Sequence, residues 1–373
     1  MAPGDRPRST IPTVAKRTIR NGMDMNPQAR PSVCAVAIAK GEDRFIEEWL
    51  VYHRLLGVDR FFLYDNDPAL PLRSLLAAHA DYATVIDWPG DPTADWTGRN
   101  LQVKTYTEAL VRRVAPYTWV AFLDPDEFIV LREHETLPAF LSSLRNVGAV
   151  RLNWHVFGHN GHFEDPEGLV TASLTRRMAA PSPRTKAISR VEAVSSIDSA
   201  HFCRLKPGWR TVDANGRSYS EDLYPGRTAR AHVNHYQCRS FLTWMDRVRR
   251  GDVSFDRSNV PADHRWRLDE HLCLRQFVET VARDKNEMVD DYMLKFERPI
   301  LSRLGDRTRR NAGVPGPPRS ESAGFASAIH GSPALPARRV HWFPAIADRL
   351  SNWRNRLNGW RLRRRLERSR AGE

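Results

Sequence analysis

The chain has 373 residues, with 57 Lys+Arg against 44 Asp+Glu, a formal net charge of +13, 41% hydrophobic and 27% charged residues. That composition excludes a mainly disordered polymer, a collagen-like repeat and a disulfide-knotted miniprotein. Residues 1–30 hold six basic and two acidic residues (+4), residues 337–373 eleven arginines and three acids (+8), and the 306 between them 40 basic against 39 acidic groups (+1). A nucleic-acid binder places its basic stripe on a folded face. The near-neutral middle argues against one, and no nucleic-acid partner is expected.

Fifty of the basic residues are arginines, which suit bidentate phosphate contacts and equally reflect a GC-rich coding bias. Cys34, Cys203, Cys238 and Cys273 form no CxxC pair and no metal-ligand spacing, so they read as reduced thiols in a cytoplasmic protein. No run approaches the ~20 apolar residues of a spanning helix.

In chain order, residues 1–31 are polar, hold five prolines and read as a disordered leader. Val33 to Ala39 is a continuous small and β-branched run, expected as a strand buried on both faces. Phe45, Ile46, Trp49, Leu50, His53 and Leu56 recur at helical spacing before Gly57. Strands are predicted over Phe61–Tyr64, Tyr82–Trp88 and Trp119–Leu123, with helices over Leu72–His79 and Asn100–Val114. This alternation implies βαβ units and a parallel sheet covered on both faces, with ligands outside the carboxyl ends of the strands. Lys40 and Glu42, Asp65 and Asn66, and Asp124 to Glu127 all fall at those ends.

From about residue 148 strands are expected over Val150–Phe157, Leu169–Leu174, Ala187–Val194 and Ala231–Tyr236, and helices over Ser240–Arg250 and Leu268–Val281. The expected organisation is a catalytic domain over 32–260, a helical continuation over 261–304, a Pro/Gly/Ser-rich flexible linker over 305–340 and a basic amphipathic helix over 341–373. In that last segment Ile346, Leu350, Trp353, Leu357 and Trp360 share a helix face flanked by arginines. Such a helix suits an anionic membrane surface or packs its apolar face on the domain. The first reading makes the protein peripheral at the inner face of the cell membrane.

The sharpest motif is Asp124-Pro125-Asp126-Glu127-Phe128. In extended chain, residues i and i+2 project to one side, so Asp124 and Asp126 are candidates to hold Mn²⁺ or Mg²⁺ beside substrate phosphates. Asn153 to His162 combines Trp154, Phe157 and hydrogen-bonding side chains, which suits the apolar faces and hydroxyl rim of a sugar. Trp154, His159, Asn160 and His162 are the acceptor-binding candidates. The histidines of this stretch match no closed zinc spacing. His235, in Asn234-His235-Tyr236, is a candidate third metal ligand or phosphate contact.

These blocks carry a resemblance. Ala37 to Glu42, Glu48 to His53, Leu56 to Val58 and Phe62 to Asn66 resemble glycosyltransferase family 92 and its bacterial family 2-like relatives. So do Trp119 to Phe128, Trp154 to His162 and Asn234 to Tyr236, in the same order across residues 33–251. The resemblance implies a GT-A-type α/β fold with a mainly parallel central sheet, a metal-dependent nucleotide-sugar donor site and inversion at the anomeric carbon. It places Asp124 and Asp126 at the DxD carboxylates, and Glu42 and Asp65, with Lys40 beside them, at the nucleotide. Gly41 departs from the usual Asn of the family, and His159 from its usual Ser.

The general base is open between Asp222, in a Gly/Ser-rich loop, and Glu164 or Asp165. The expected activity is transfer of a sugar to a hydroxyl of a glycan or lipid-linked acceptor, as in cell-surface polysaccharide biosynthesis. Two alternatives stand beside it. One is a sugar-phosphate nucleotidyltransferase, for which Ala39 to Glu42 is too short and too acidic a signature loop. The other is a nucleic-acid-binding protein acting through its basic tails.

Overall fold

The structure, a computed structural model, describes residues 30–67, 72–89, 101–219, 228–250, 269–281 and 285–310. The chain divides after Asn311, and everything described belongs to the first unit. Among the described residues no helix is long and apolar enough to cross a membrane.

The first half alternates as expected: β1 (Val33–Ala39), α1 (Ile46–Leu55), β2 (Arg60–Asp65), α2 (Leu72–Leu75), β3 (Ala83–Asp87), α3 (Leu101–Arg112) and β4 (Trp119–Phe122). These strands pair in parallel in the order β3-β2-β1-β4, with Ala39 beside Asp65 and Val36 beside Phe122. Every residue of β1 is buried because each face is covered. Val33, Ala35, Ala37 and Ala39 pack with Ile46, Trp49 and Leu50 of α1. Cys34, Val36 and Ile38 pack with Leu101, Tyr106 and Ala109 of α3. The unbroken apolar run was needed on both sides.

The second half extends the sheet. β5 (Glu127–Leu131), α4 (Leu137–Ser142), β6 (Ala149–Val156), α5 (Val170–Ser173), β7 (Arg176–Arg177) and β8 (Thr185–Arg190) come first. β9 (Val194–Ile197), β10 (Cys203–Leu205), β11 (Thr211–Asp213) and β12 (Ala231–His235) come next. The full order is β3-β2-β1-β4-β8-β6-β12-β5, with β11 beside the first half of β6. Within this sheet parallel pairs outnumber antiparallel ones, and β8 is antiparallel to both β4 and β6. This is the mainly parallel, helix-covered α/β arrangement expected of a GT-A-type fold. The described part closes with α6 (Phe241–Arg250), α7 (Glu270–Gln276) continued by a π-helical turn, β13 (Met288–Val289) and α8 (Glu297–Arg310).

Four expectations change. Leu169–Leu174 is not a strand: Glu48 of α1 accepts hydrogen bonds from the Val170 and Thr171 N–H groups and the Thr171 hydroxyl (2.8, 2.9 and 2.6 Å), so the segment starts a helical turn. The strand expected over Ala187–Val194 breaks after Arg190 at a 3₁₀ turn, Val191–Ala193. Beyond it the chain leaves the main sheet for the β9–β10 hairpin. The Asp124–Phe128 stretch, expected as extended chain with both aspartates on one side, instead turns at Pro125 and Asp126 and enters β5 at Glu127. α8 runs to Arg310, into the stretch expected as linker; the remainder of that linker and the 341–373 helix lie outside the described residues.

Candidate active site

The carboxyl ends of β1, β2, β4, β6 and β12 bring most of the expected residues to one end of the sheet. β5 is the edge strand there, and α1 covers its outer side. Trp49 Nε1 donates to the Glu127 carbonyl (2.8 Å), Tyr52 Oη to the Ile129 carbonyl (2.6 Å), and the Ile129 N–H donates to His53 Nε2 (3.3 Å). An edge whose groups are paired in this way presents no template to another strand, and the Asp124–Glu127 turn is thereby fixed at its far end.

Lys186, on β8, lies beneath that turn. Its ammonium is 1% exposed, 3.0 Å from Asp124 Oδ1 and 3.3 Å from Glu127 Oε2. Burial weakens its hold on the proton, but Asp124 and then Glu127 outweigh that and keep the lysine charged. Glu127 is fully buried; desolvation and then the Asp124 charge push its carboxyl well upward. Its Oε2 also accepts from the Asp124 N–H at 2.9 Å. Asp124 Oδ1 further accepts from Gln102 and from Tyr106 Oη (3.3 Å), while the side chain keeps 29% exposure. Asp124 is therefore clamped through one oxygen.

Asp126 turns the other way. Its Oδ1 is 3.4 Å from His235 Nε2, and its carbonyl accepts from the Tyr236 N–H at 2.8 Å. Trp154 packs on His235 (ring centroids 4.3 Å) and on His201 (5.3 Å). His235 Nδ1 and Trp154 Nε1 are buried without a hydrogen-bond partner. A carboxylate oxygen beside an imidazole nitrogen is a donor pair that first-row divalent ions accept.

Among the described residues, the set whose three ligand atoms lie within 4.8 Å of one another is a different one: His155, His232 and Asp290. It fits a metal poorly. The two rings stack at 3.9 Å and 25°, so their in-plane lone pairs do not converge. Asp290 already accepts from Arg132 (3.2 Å) and Arg177 (2.8 Å); against the effect of burial, His155 and these two arginines hold its carboxyl far below the usual range.

At the first strand ends, Lys40 is half-buried, and Glu42 Oε2 meets the buried Arg239 Nη1 at 2.7 Å. Asp65 accepts from the Asp67 and Leu72 N–H groups (3.0 and 2.6 Å), holding the loop after β2. Glu42, Asp65, Gly41 and Asp67 line a shallow hollow between β1 and β2.

Of the acceptor candidates, Trp154 stands beside Asp126 and His235. His159 is buried against Phe277 (4.8 Å), and His162 is half-buried, its N–H donating to the His159 carbonyl. Asn160 is a structural clasp: its side chain bonds the Gly158 and Arg176 carbonyls and the Arg176 N–H (2.8, 3.0 and 2.6 Å).

Among the base candidates, Glu164 is exposed. Asp165 Oδ1 accepts from Ser240 and Thr243, both at 2.6 Å, which ties its loop to the start of α6. Asp222 lies outside the described residues. Lys186, Arg239 and His201 were not singled out from the sequence. The one available signal was a lysine directly before the strand expected over Ala187–Val194, in a chain with only seven lysines.

Acidic, imidazole and indole side chains gather at the strand ends of a helix-covered, mainly parallel sheet, the place where α/β proteins of this class bind their ligands. A family model for glycosyltransferase family 92 matches residues 32–275, and the chain belongs to that family. A family 92 protein of Ricinus communis is 29% identical over 221 residues, 56% of this chain and 38% of that protein. One of Oryza sativa subsp. japonica is 30% identical over 190 residues, 49% of this chain and 31% of that protein. The chain thus spans under two-fifths of the length of these relatives. Among solved structures, glucosyl-3-phosphoglycerate synthase from Mycobacterium tuberculosis with Mn²⁺, UDP-glucose and phosphoglyceric acid is similar at 14% identity and a TM-score of 0.29, covering 49% of this chain and 70% of that one.

Proposed function

We propose that the protein is an inverting glycosyltransferase that moves a sugar from a nucleotide-sugar donor to a hydroxyl of a glycan or lipid-linked acceptor. The observation that carries this reading is the Asp126–His235 pair, 3.4 Å apart beside Trp154 at the strand ends of a family 92 domain. Asp126 and His235 would hold a divalent ion, Mn²⁺ or Mg²⁺, which when bound neutralises charge on the departing nucleoside diphosphate. Asp124, clamped by Lys186 through one oxygen, presents the rest of its carboxylate as a fixed acceptor for donor hydroxyls. Glu42 and Arg239 flank the nucleotide hollow, and Trp154 offers an apolar face to the sugar.

The base that takes the acceptor proton is a carboxylate opposite the leaving group. Asp222 and Glu164 suit that role better than Asp165, whose carboxylate is tied to Ser240 and Thr243. The segment 341–373 is proposed to hold the enzyme at an anionic membrane surface on the cytoplasmic side.

Donor hydrolysis measured over a panel of nucleotide sugars, with and without Mn²⁺, tests the reading. Asp126→Ala and His235→Ala are each expected to lower the Mn²⁺-dependent rate by about a hundredfold, the loss typical of a removed electrostatic contact in a site of this kind. A wild-type rate in Asp126→Ala would sink it.

A further inference from the structure

Most cations at the strand ends already have an acid. Lys186 is held by Asp124 and Glu127 (3.0 and 3.3 Å), Arg239 by Glu42 (2.7 Å) and Arg44 by Asp165 (3.7 Å). Arg184, the residue before β8, differs from these. It is exposed, and among the described residues its guanidinium has no hydrogen-bond or ion-pair partner.

The backbone that carries it is fixed against Trp154. The Trp154 N–H donates to the Arg184 carbonyl (3.1 Å), and the Ser182 N–H donates to the Trp154 carbonyl (2.8 Å). The Arg184 N–H donates to Ser182 Oγ at 3.2 Å, and Asn153 Nδ2 to the Ser182 carbonyl at 3.0 Å. Both main-chain groups of Trp154 are therefore tied to the residues that lead into β8. Arg184 stands one strand spacing from it, roughly 4.8 Å.

His201 shows on which side the charge lies. Its ring packs on Trp154 at 5.3 Å, and its Nδ1 is 3.2 Å from the Thr185 carbonyl. Burial and then the Lys186 charge lower its pKa to about 4, and the charges of Asp124 and Arg184 also act on it. His201 is thus neutral at pH 7, and the Arg184 charge lies on the side of the sheet that presents Trp154 and His201.

We infer that Arg184 is a further substrate contact, which takes the oxygens of a phosphate group beside Trp154. The planar fork of arginine matches phosphate geometry. The strand ends otherwise gather carboxylates, Glu42, Asp65, Asp124 and Asp126, which repel such a group. A cation with no acid of its own offsets that repulsion. The phosphate belongs either to the donor diphosphate or to the acceptor. That choice rests on the glycosyltransferase reading, whereas the phosphate contact rests on the local geometry.

The test is calorimetric titration of the full chain with inorganic phosphate in the absence of divalent ions and, separately, with inorganic pyrophosphate in the presence of Mg²⁺. Saturable binding of at least one probe is expected. Arg184→Gln should weaken it at least tenfold, the scale of a hydrogen bond to a charged group, and Arg184→Lys to an intermediate degree. Arg112→Gln, which removes another exposed charge at the far end of α3, should bind as wild type does. Pyrophosphate binding weakened by both Arg184→Gln and His235→Ala assigns the contact to the donor diphosphate. Metal-free phosphate binding that needs Arg184 and not His235 assigns it to a phosphate on the acceptor. No saturable binding of either probe, wild-type affinity in Arg184→Gln, or an equal loss in Arg112→Gln overturns the contact. Arg184-dependent binding in a chain that hydrolyses no nucleotide sugar would leave the contact standing and remove the parent reading.

Discussion

A buried ammonium between two carboxylates limits what each carboxylate can do. Lys186 is 3.0 Å from Asp124 and 3.3 Å from Glu127, and neither Lys186 nor Glu127 reaches solvent. Removing the lysine leaves buried negative charge uncompensated, a change worth about 3–5 kcal/mol in comparable pairs. Lys186→Met is therefore expected to lower the urea-unfolding free energy by roughly that amount. Adding Glu127→Gln should recover part of the loss, because it removes the buried carboxylate that the missing lysine leaves uncompensated. Equal stability in Lys186→Met and wild type would show that the pair is not coupled.

His53 gives a pH dependence of known sign. Full burial lowers its pKa from 6.5 to about 3, against the partial support of the Trp49 carbonyl. The folded-state pKa is depressed, so below pH 6.5 the unfolded chain binds a proton that the folded chain refuses. Stability from this group is complete above pH 6.5 and is lost as pH falls toward 3, at about 1.4 kcal/mol per pH unit within that window. Urea titrations at stepped pH should show that slope, and it should be absent in His53→Gln. At this scale the sequence showed the solvent-facing acids and hid their partners. Asp124-Pro125-Asp126 stands out as a motif, whereas Lys186 is 62 residues away from Asp124 in sequence and meets it only through the β4–β8 pairing.

Among the elements, α1 does two jobs with one helix. Trp49, Tyr52 and His53 satisfy the outer edge of β5, and Glu48 anchors the N–H groups that open α5. Glu48→Ala leaves two buried N–H groups and a buried hydroxyl without an acceptor. At about 1–3 kcal/mol for an unsatisfied buried group, a loss near 3 kcal/mol is expected. Glu48→Gln, which keeps one acceptor oxygen, should lose less; identical unfolding midpoints for both variants and wild type would refute the anchoring role. The same helix explains which elements were legible. β1 declared itself by an uninterrupted apolar run, because both of its faces are covered. α5 did not, because its four residues are β-branched or small and turn helical under a carboxylate 122 residues upstream. β5 was hidden behind Asp124-Pro125-Asp126, whose carboxylates drew the reading, and Glu127–Leu131 becomes a strand only through its pairing with β12 and the cover of α1.

At the level of the whole molecule, charge and chemistry are carried by different segments. Residues 312–373 contain twelve arginines and four acids, +8 of the net +13, and none of the residues gathered at the strand ends. Ile346, Leu350, Trp353, Leu357 and Trp360 recur at steps of 4, 3, 4 and 3, so a helix there would present an apolar stripe between basic flanks. Each arginine near an anionic leaflet contributes about 1 kcal/mol, and the effect fades with salt. A chain ending at Asn311 is accordingly expected to keep the melting temperature and donor-hydrolysis rate of the full chain. It should lose sedimentation with phosphatidylserine-containing vesicles, which the full chain should show at low salt and give up at high salt. The competing arrangement, in which the stripe packs on the domain, makes the opposite forecast: truncation would expose apolar surface and lower the melting temperature, with vesicle binding weak in both forms. Truncation changes sedimentation alone under the first arrangement and melting temperature alone under the second, so one truncation decides between them.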